Sequence, residues 1–193
     1  MIEDINSHID HQTETIGIVK DALIRPISEC AQLLIKALRD GRKILVMGNG
    51  GSAADAQHFA AEMVGRFLTE RKALPAIALT TDTSILTAVS NDYGFEDVFK
   101  RQVEALARPG DVVIGISTSG HSKNVVRALQ AGREIGATTV GILGRDGGEI
   151  SSLVDLELTV PCQSTPHVQE MHLVIIHILC GLVEKALSRP DFK

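Results

Sequence analysis

The sequence is poor in aromatic residues. They make up 3% of its 193 residues, and tryptophan is absent. A core without large rings must be built from Ala, Val, Ile and Leu, as in layered α/β domains. Cysteine is also scarce. Cys30, Cys162 and Cys180 are far apart, odd in number, and form no CxxC pair. This argues against a disulfide framework and fits buried thiols in a reducing cytoplasm. No run of Lys or Arg stands out, and the net charge is −5, so direct nucleic-acid recognition is not expected. Long hydrophobic runs are missing too. The longest apolar stretch near the C-terminus, LVIIHILCGLV at 173–183, contains a His and is too short to cross a bilayer; it reads as a buried helix. The first residues, MIEDINSHIDHQ, are polar and acidic, unlike a signal peptide.

Hydrophobic residues are 44% of the chain, too many for a disordered protein. The length suits one domain with a full core, and no linker or low-complexity segment divides it. Helical spacing of apolar positions predicts helices over 4–19 and 24–40, the second ended by Gly41. KILVMG reads as a buried strand, with Ser52 as the N-cap of the helix that follows. AIALT is a second strand, followed by helices over 83–90 and 95–107. DVVIGIS is a third strand, then an STSG turn and a helix over 122–135. TTVGILG and LELTV are the fourth and fifth strands, and 167–187 the last helix. Strands alternating with helices predict an α/β fold: a three-layer α-β-α sandwich around a mainly five-stranded parallel sheet, with helices N-terminal to it. Strand, small polar turn and helix recur at 43–66 and 111–136, and ligands in such folds bind at the carboxyl ends of the strands, where these turns lie.

The first turn, Gly48-Asn49-Gly50-Gly51-Ser52-Ala53, matches a G-x-G-x-x-A dinucleotide fingerprint between a strand and a helix. That fingerprint calls for an acidic residue about 20 positions on; Asp82 follows the next strand but lies about 30 beyond. No Lys follows the glycines, which excludes a nucleotide P-loop. Two readings stand: a tight turn without ligand, or backbone N–H groups of Gly50 and Gly51 offered to an anion or a sugar oxygen at a helix N-terminus. The second turn is more telling. Ser117, Thr118, Ser119 and Ser122 surround Gly120 at the start of a helix, four hydroxyls within six residues, more than capping needs. Hydroxyls and free helix N–H groups together suit a small phosphate monoester.

His58 and Glu62 are one helical turn apart and share a face. The flanking Phe59, Ala60, Ala61, Met63 and Val64 suggest a mostly buried helix, and a buried carboxylate is costly without a partner. The last helix carries Gln169, His172 and His177. His177 lies in an apolar run, and spacing alone leaves it either a core histidine bonded to a backbone carbonyl or a site residue. His121 and His167, in polar surroundings, read as surface residues. Asn91 and Asp92, before Tyr93, either shape a turn or bond sugar hydroxyls.

Taken together, GNGGSAADAQHFAAE, TTDTSILTAVSNDYGF, GDVVIGISTSGHSKNV and VQEMHLVIIHILCGLVE resemble the phosphoheptose isomerases of the sugar isomerase (SIS) domain superfamily, over nearly the whole chain. The resemblance implies a single SIS domain over 1–193, with the helical segment 1–40 packing in a homotetramer whose active sites lie at subunit interfaces. It implies conversion of D-sedoheptulose 7-phosphate to D-glycero-D-manno-heptose 7-phosphate in the cytoplasm, the first step towards nucleotide-activated heptoses of bacterial lipopolysaccharide and related glycans. It implies substrate contacts from Asn49, Gly50, Gly51, Ser52, His58, Glu62, Asn91, Asp92, Ser117, Thr118, Ser119, Ser122 and Gln169, with Glu62 and His177 catalytic. It also implies one Zn²⁺ per subunit on His58, Glu62, Gln169 and His177.

The chemistry is consistent with these residue types. Ketose–aldose exchange needs a base to move a proton from C1 to C2, and a carboxylate raised by burial suits it. A second group must shift a proton between O1 and O2, and His titrates in the right range. Two tensions follow. A Glu that ligates zinc is a weaker base, so it must release the ion to react. Gln169 and His177 are eight residues apart, roughly 12 Å along a helix, which is far for two ligands of one ion. Either both reach inward or a neighbouring subunit supplies one; the second is the expectation. The alternative reading is a non-catalytic SIS protein that binds the bacterial replication initiator. Such relatives tend to lack the catalytic Glu and His, which are both present here. A sugar-sensing regulator would need a DNA-binding module for which 193 residues leave no room, and a dehydrogenase would have no use for STSG.

Overall fold

The computed structural model describes residues 1–188. Five parallel strands form one sheet: β1 (Ile44–Gly48), β2 (Ala76–Ala78), β3 (Val112–Ser117), β4 (Thr138–Gly144) and β5 (Leu156–Val160), in the order β2-β1-β3-β4-β5. The central strands β1 and β3 are buried at every residue, as expected for strands covered on both faces. One face carries α1 (Ile2–Arg39), α2 (Gly51–Val64) and α7 (Thr165–Leu187), packed over Ile44, Val46, Ile114 and Ile142. The other carries α4 (Lys100–Leu106), α5 (Lys123–Ile135) and the short α6 (Gly148–Ser151), over Leu45, Met47, Val113 and Leu143. The three-layer α/β sandwich is therefore as expected. Among the described residues, no helix is long and apolar enough to cross a membrane.

Several boundaries differ from the sequence reading. The two N-terminal helices are one 38-residue helix with Pro26 inside it. A proline there removes one backbone hydrogen bond. The buried stripe of Val19, Leu23, Ile27, Cys30 and Leu34 nevertheless runs through it without interruption, so packing carries the helix past the defect. Before Thr15, α1 buries no residue. Ser52 is not the N-cap of α2. The N-cap is Gly50 (φ +55°), two residues earlier, whose carbonyl accepts from both Ala53 and Ala54, so Ser52 lies buried in the first turn. The segment expected to be helical over 95–107 is broken into a 3-10 turn (Phe95–Asp97) and α4, and α3 spans Thr83–Asp92. Asp82, weighed above as a ribose ligand, caps α3: its Oδ1 accepts from Ile85 N–H at 2.9 Å. Gly41, left-handed at φ +72°, follows the end of α1 as expected.

Candidate active site

With β1 and β3 adjacent and Gly48 paired with Ile116, the glycine turn and the STSG turn leave neighbouring strand ends. Strand order reverses here, with β2 and α2 to one side and β4 and α5 to the other, the topological switch point at which open α/β sheets bind ligands. The two turns are tied by a contact the sequence did not disclose. Asn49 and Asn124 pair amide to amide: Asn49 Nδ2 donates to Asn124 Oδ1 (2.9 Å), and Asn124 Nδ2 donates to Asn49 Oδ1 (2.8 Å). Asn124 is buried.

In the second turn, Gly120 N–H donates to Ser117 Oγ (3.1 Å), which also lies 3.1 Å from Ser122 Oγ, and His121 N–H donates to Ser119 Oγ (3.2 Å). These bonds fold the turn into a loop. A Cβ on Gly120, at φ +69°, would collide with the Gly147 carbonyl, so only glycine lets α6 close against it. Neither Ser122 at the start of α5 nor Gly50 at the start of α2 makes a side-chain cap bond. Two helix N-termini with free N–H groups therefore flank the switch point, an arrangement that favours an anion.

His58 and Glu62 project from α2 towards α7. His58 Nε2 lies 3.0 Å from His177 Nε2 and 3.3 Å from Glu62 Oε1. One ligand atom from each of the three residues lies within 4.8 Å of the others, all from a single chain. A tetrahedral ion with Zn–N bonds of about 2.0–2.1 Å holds its ligands roughly 3.3 Å apart, so this spacing fits a metal. Gln169 packs on the start of α2, where a Cβ on Gly51 would lie 2.6 Å from its Nε2. His177 is thus not the core histidine. That role falls to His172, which is fully buried, bonded to the Leu143 carbonyl (2.9 Å), and pushed down to about 4 by burial. The helix bearing His58 is less buried than expected: Phe59, Ala60 and Met63 face the core, but Ala61 and Val64 are exposed, and the Glu62 side chain keeps 23% of its surface.

Two further features escaped the sequence reading. Asp55 precedes His58 by three residues on α2, and its Oδ2 is buried without a partner. Burial pushes this carboxyl up to about 6, with the nearby His58 pulling the other way. The i, i+3, i+7 spacing of Asp55, His58 and Glu62 was the available signal. The second is a clamp under the site. Glu184 accepts from the N–H groups of Phe67, Leu68 and Thr69 (2.8–2.9 Å) and pairs with Arg71 at 3.4 Å. Arg71 in turn donates to the carbonyls of Glu62 (2.6 Å) and Met63 (2.9 Å) at the end of α2. The loop so formed sets the Phe67 ring 5.6 Å from that of His177. Asn91 and Asp92 end α3 in exposed positions; among the described residues their side chains bond only each other. His121 is exposed as expected, but His167 is buried.

A family model for the SIS domain matches residues 8–144. Phosphoheptose isomerases from Geotalea daltonii and Geobacter sulfurreducens are 62% and 60% identical over 187 residues, covering 97% of this chain and 97% and 99% of theirs. The chain belongs to the phosphoheptose isomerase family. Solved structures agree: the phosphoheptose isomerase of Neisseria gonorrhoeae superposes with a TM-score of 0.91 at 45% identity, covering 95% of this chain and 98% of that one. The phosphoheptose isomerase of Francisella tularensis does so at 0.93 and 35%, with the same coverage. The two turns and the His58–Glu62–His177 group described above thus belong to a chain of this family.

Proposed function

We propose that the protein is an aldose–ketose isomerase that converts D-sedoheptulose 7-phosphate to D-glycero-D-manno-heptose 7-phosphate through an enediol. The observation that carries this reading is the His58–Glu62–His177 group held between α2 and α7, in a chain 62% identical to a phosphoheptose isomerase. The STSG loop and the N-terminus of α5 receive the phosphate, with Ser117, Thr118, Ser119 and Ser122 donating hydroxyls. Asn49, Gly50, Gly51, Ser52, Asn91, Asp92 and Gln169 hold the sugar. Glu62 takes the proton from C1 and returns it to C2, and His177 passes a proton between O1 and O2.

His58, Glu62 and His177 would hold a Zn²⁺ ion, which would supply Lewis-acid polarisation of the substrate carbonyl. Gln169 of a neighbouring chain completes the ligand set in a homotetramer. Support for the assembly comes from apolar side chains left uncovered on two helices: Ile2, Ile5, Ile9, Ile16 and Ile24 of α1, and Val174, Ile178 and Leu182 of α7. The chain forms one catalytic domain, with α1 packed in the tetramer. Three unpaired cysteines support a cytoplasmic location, and the product feeds nucleotide-activated heptose for surface glycans.

Proton NMR of sedoheptulose 7-phosphate with the protein in D₂O tests the reading, with and without a zinc chelator. Aldoheptose carrying deuterium at C2 is expected, lost on chelation and absent in Glu62→Gln and His177→Gln variants that retain their thermal stability. No conversion by the folded, zinc-replete tetramer would refute the isomerase assignment. Turnover that survives chelation would remove the metal, and full activity in either variant would overturn the roles given to Glu62 and His177.

A further inference from the structure

Outside this site, a second set of metal-competent side chains gathers where the first turns of α1 meet the start of α7. His8, His167 and Glu170 each place one ligand atom within 4.8 Å of the others. Glu170 divides its carboxylate between two rings, Oε1 lying 3.2 Å from His8 Nε2 and Oε2 3.1 Å from His167 Nδ1. The two imidazoles are 4.3 Å apart centre to centre, and a third, His11, lies 6.2 Å from His167. His8 is exposed and His167 buried, so the group spans the boundary between solvent and core. Next to it lies a cavity of about 470 Å³, lined in part by His11, Glu14, Cys162 and His167.

An ion pair would need one imidazolium against Glu170. Here two rings share a single carboxylate. Two imidazole nitrogens beside a carboxylate oxygen are the donor set of a borderline transition ion. We infer that His8, His167 and Glu170 form a second cation site, distinct from the catalytic group, that takes Zn²⁺ or a similar divalent transition ion in preference to Mg²⁺ or Ca²⁺. His11 or water occupies the remaining position. The site has a structural use. The part of α1 before Thr15 buries nothing of its own, and an ion here fastens it to α7 one residue from Gln169.

The test is a count of zinc. Chelator-stripped protein is titrated with Zn²⁺ by calorimetry, and bound metal is measured by atomic absorption. His8→Gln is expected to bind one zinc fewer per chain than the parent, or to bind that zinc at least about tenfold more weakly, the loss that removing even an outer partner of a ligand brings. The exposed position of His8 keeps the variant folded, which circular dichroism checks. His58→Gln is expected to retain the His8-dependent zinc, which separates this site from the catalytic one. Equal zinc content and affinity in the parent and His8→Gln would overturn the inference. So would loss of the His8-dependent zinc in a folded His58→Gln, or Mg²⁺ binding there as tightly as Zn²⁺.

Discussion

Asp55 carries a cost that can be measured. Its carboxyl rises from 3.8 to about 6 because burial disfavours the charged form, and its Oδ2 has no partner to compensate. At 1.36 kcal/mol per pKa unit, the rise corresponds to about 3 kcal/mol. The side chain is only partly buried, so solvent screening reduces this to about 1–2 kcal/mol. The sign follows from linkage. An acid whose pKa is higher folded than unfolded destabilises the fold once ionised in both states. The penalty is therefore full above pH 6 and disappears as pH falls through 4. Asp55→Asn removes the charge and keeps the shape. At pH 8 the variant is expected to be more stable by about 1–2 kcal/mol, or roughly 2–8 °C in melting temperature for a chain of this size. Near pH 4 the two proteins should melt together. Thermal unfolding of both across this range, with chelator present so that metal binding does not contribute, gives the difference directly. A gap that does not change with pH, or an Asp55→Asn protein less stable at pH 8, would refute the account.

Three other perturbations follow from single contacts. Gly51→Ala places a methyl 2.6 Å from Gln169 Nε2, and a flexible side chain can move aside; turnover should fall at least about tenfold, the effect of misplacing a site group by an ångström, while the melting temperature holds. Glu184→Gln leaves Arg71 buried without its carboxylate and should cost about 3–5 kcal/mol in urea unfolding. Burial raises the Glu184 carboxyl, but the N–H groups of Leu68, Phe67 and Thr69 outweigh it and hold the group low. Its stabilisation is thus present at neutral pH and lost in acid, and the variant's deficit should shrink as pH falls below 4. Asn124→Ala removes the buried end of the amide pair, leaves half-buried Asn49 without its partner and should cost about 1–3 kcal/mol, with a raised KM as the two turns lose their tie; an unchanged KM would mean that the pair does not position the site.

The sequence by itself determined the parts that local periodicity encodes. Five strands alternating with helices required a covered parallel sheet, because strands without a polar face cannot meet water. The glycine turn after β1 and the hydroxyl turn after β3 were legible because strand, turn and helix N-terminus are contiguous. His58 and Glu62 were legible as a pair because four residues make one turn. Only the tertiary structure decided what depends on how distant elements cross. Strand order brought Asn49 to Asn124. The packing of α2 on α7 turned His177 towards His58 and left His172 to the core, a choice that helical spacing could not make since both lie in one apolar helix. The crossing of α1 over α7 buried His167 beside His8 and carried α1 unbroken past Pro26, because the apolar stripe on either side gains more from packing than one lost backbone bond removes.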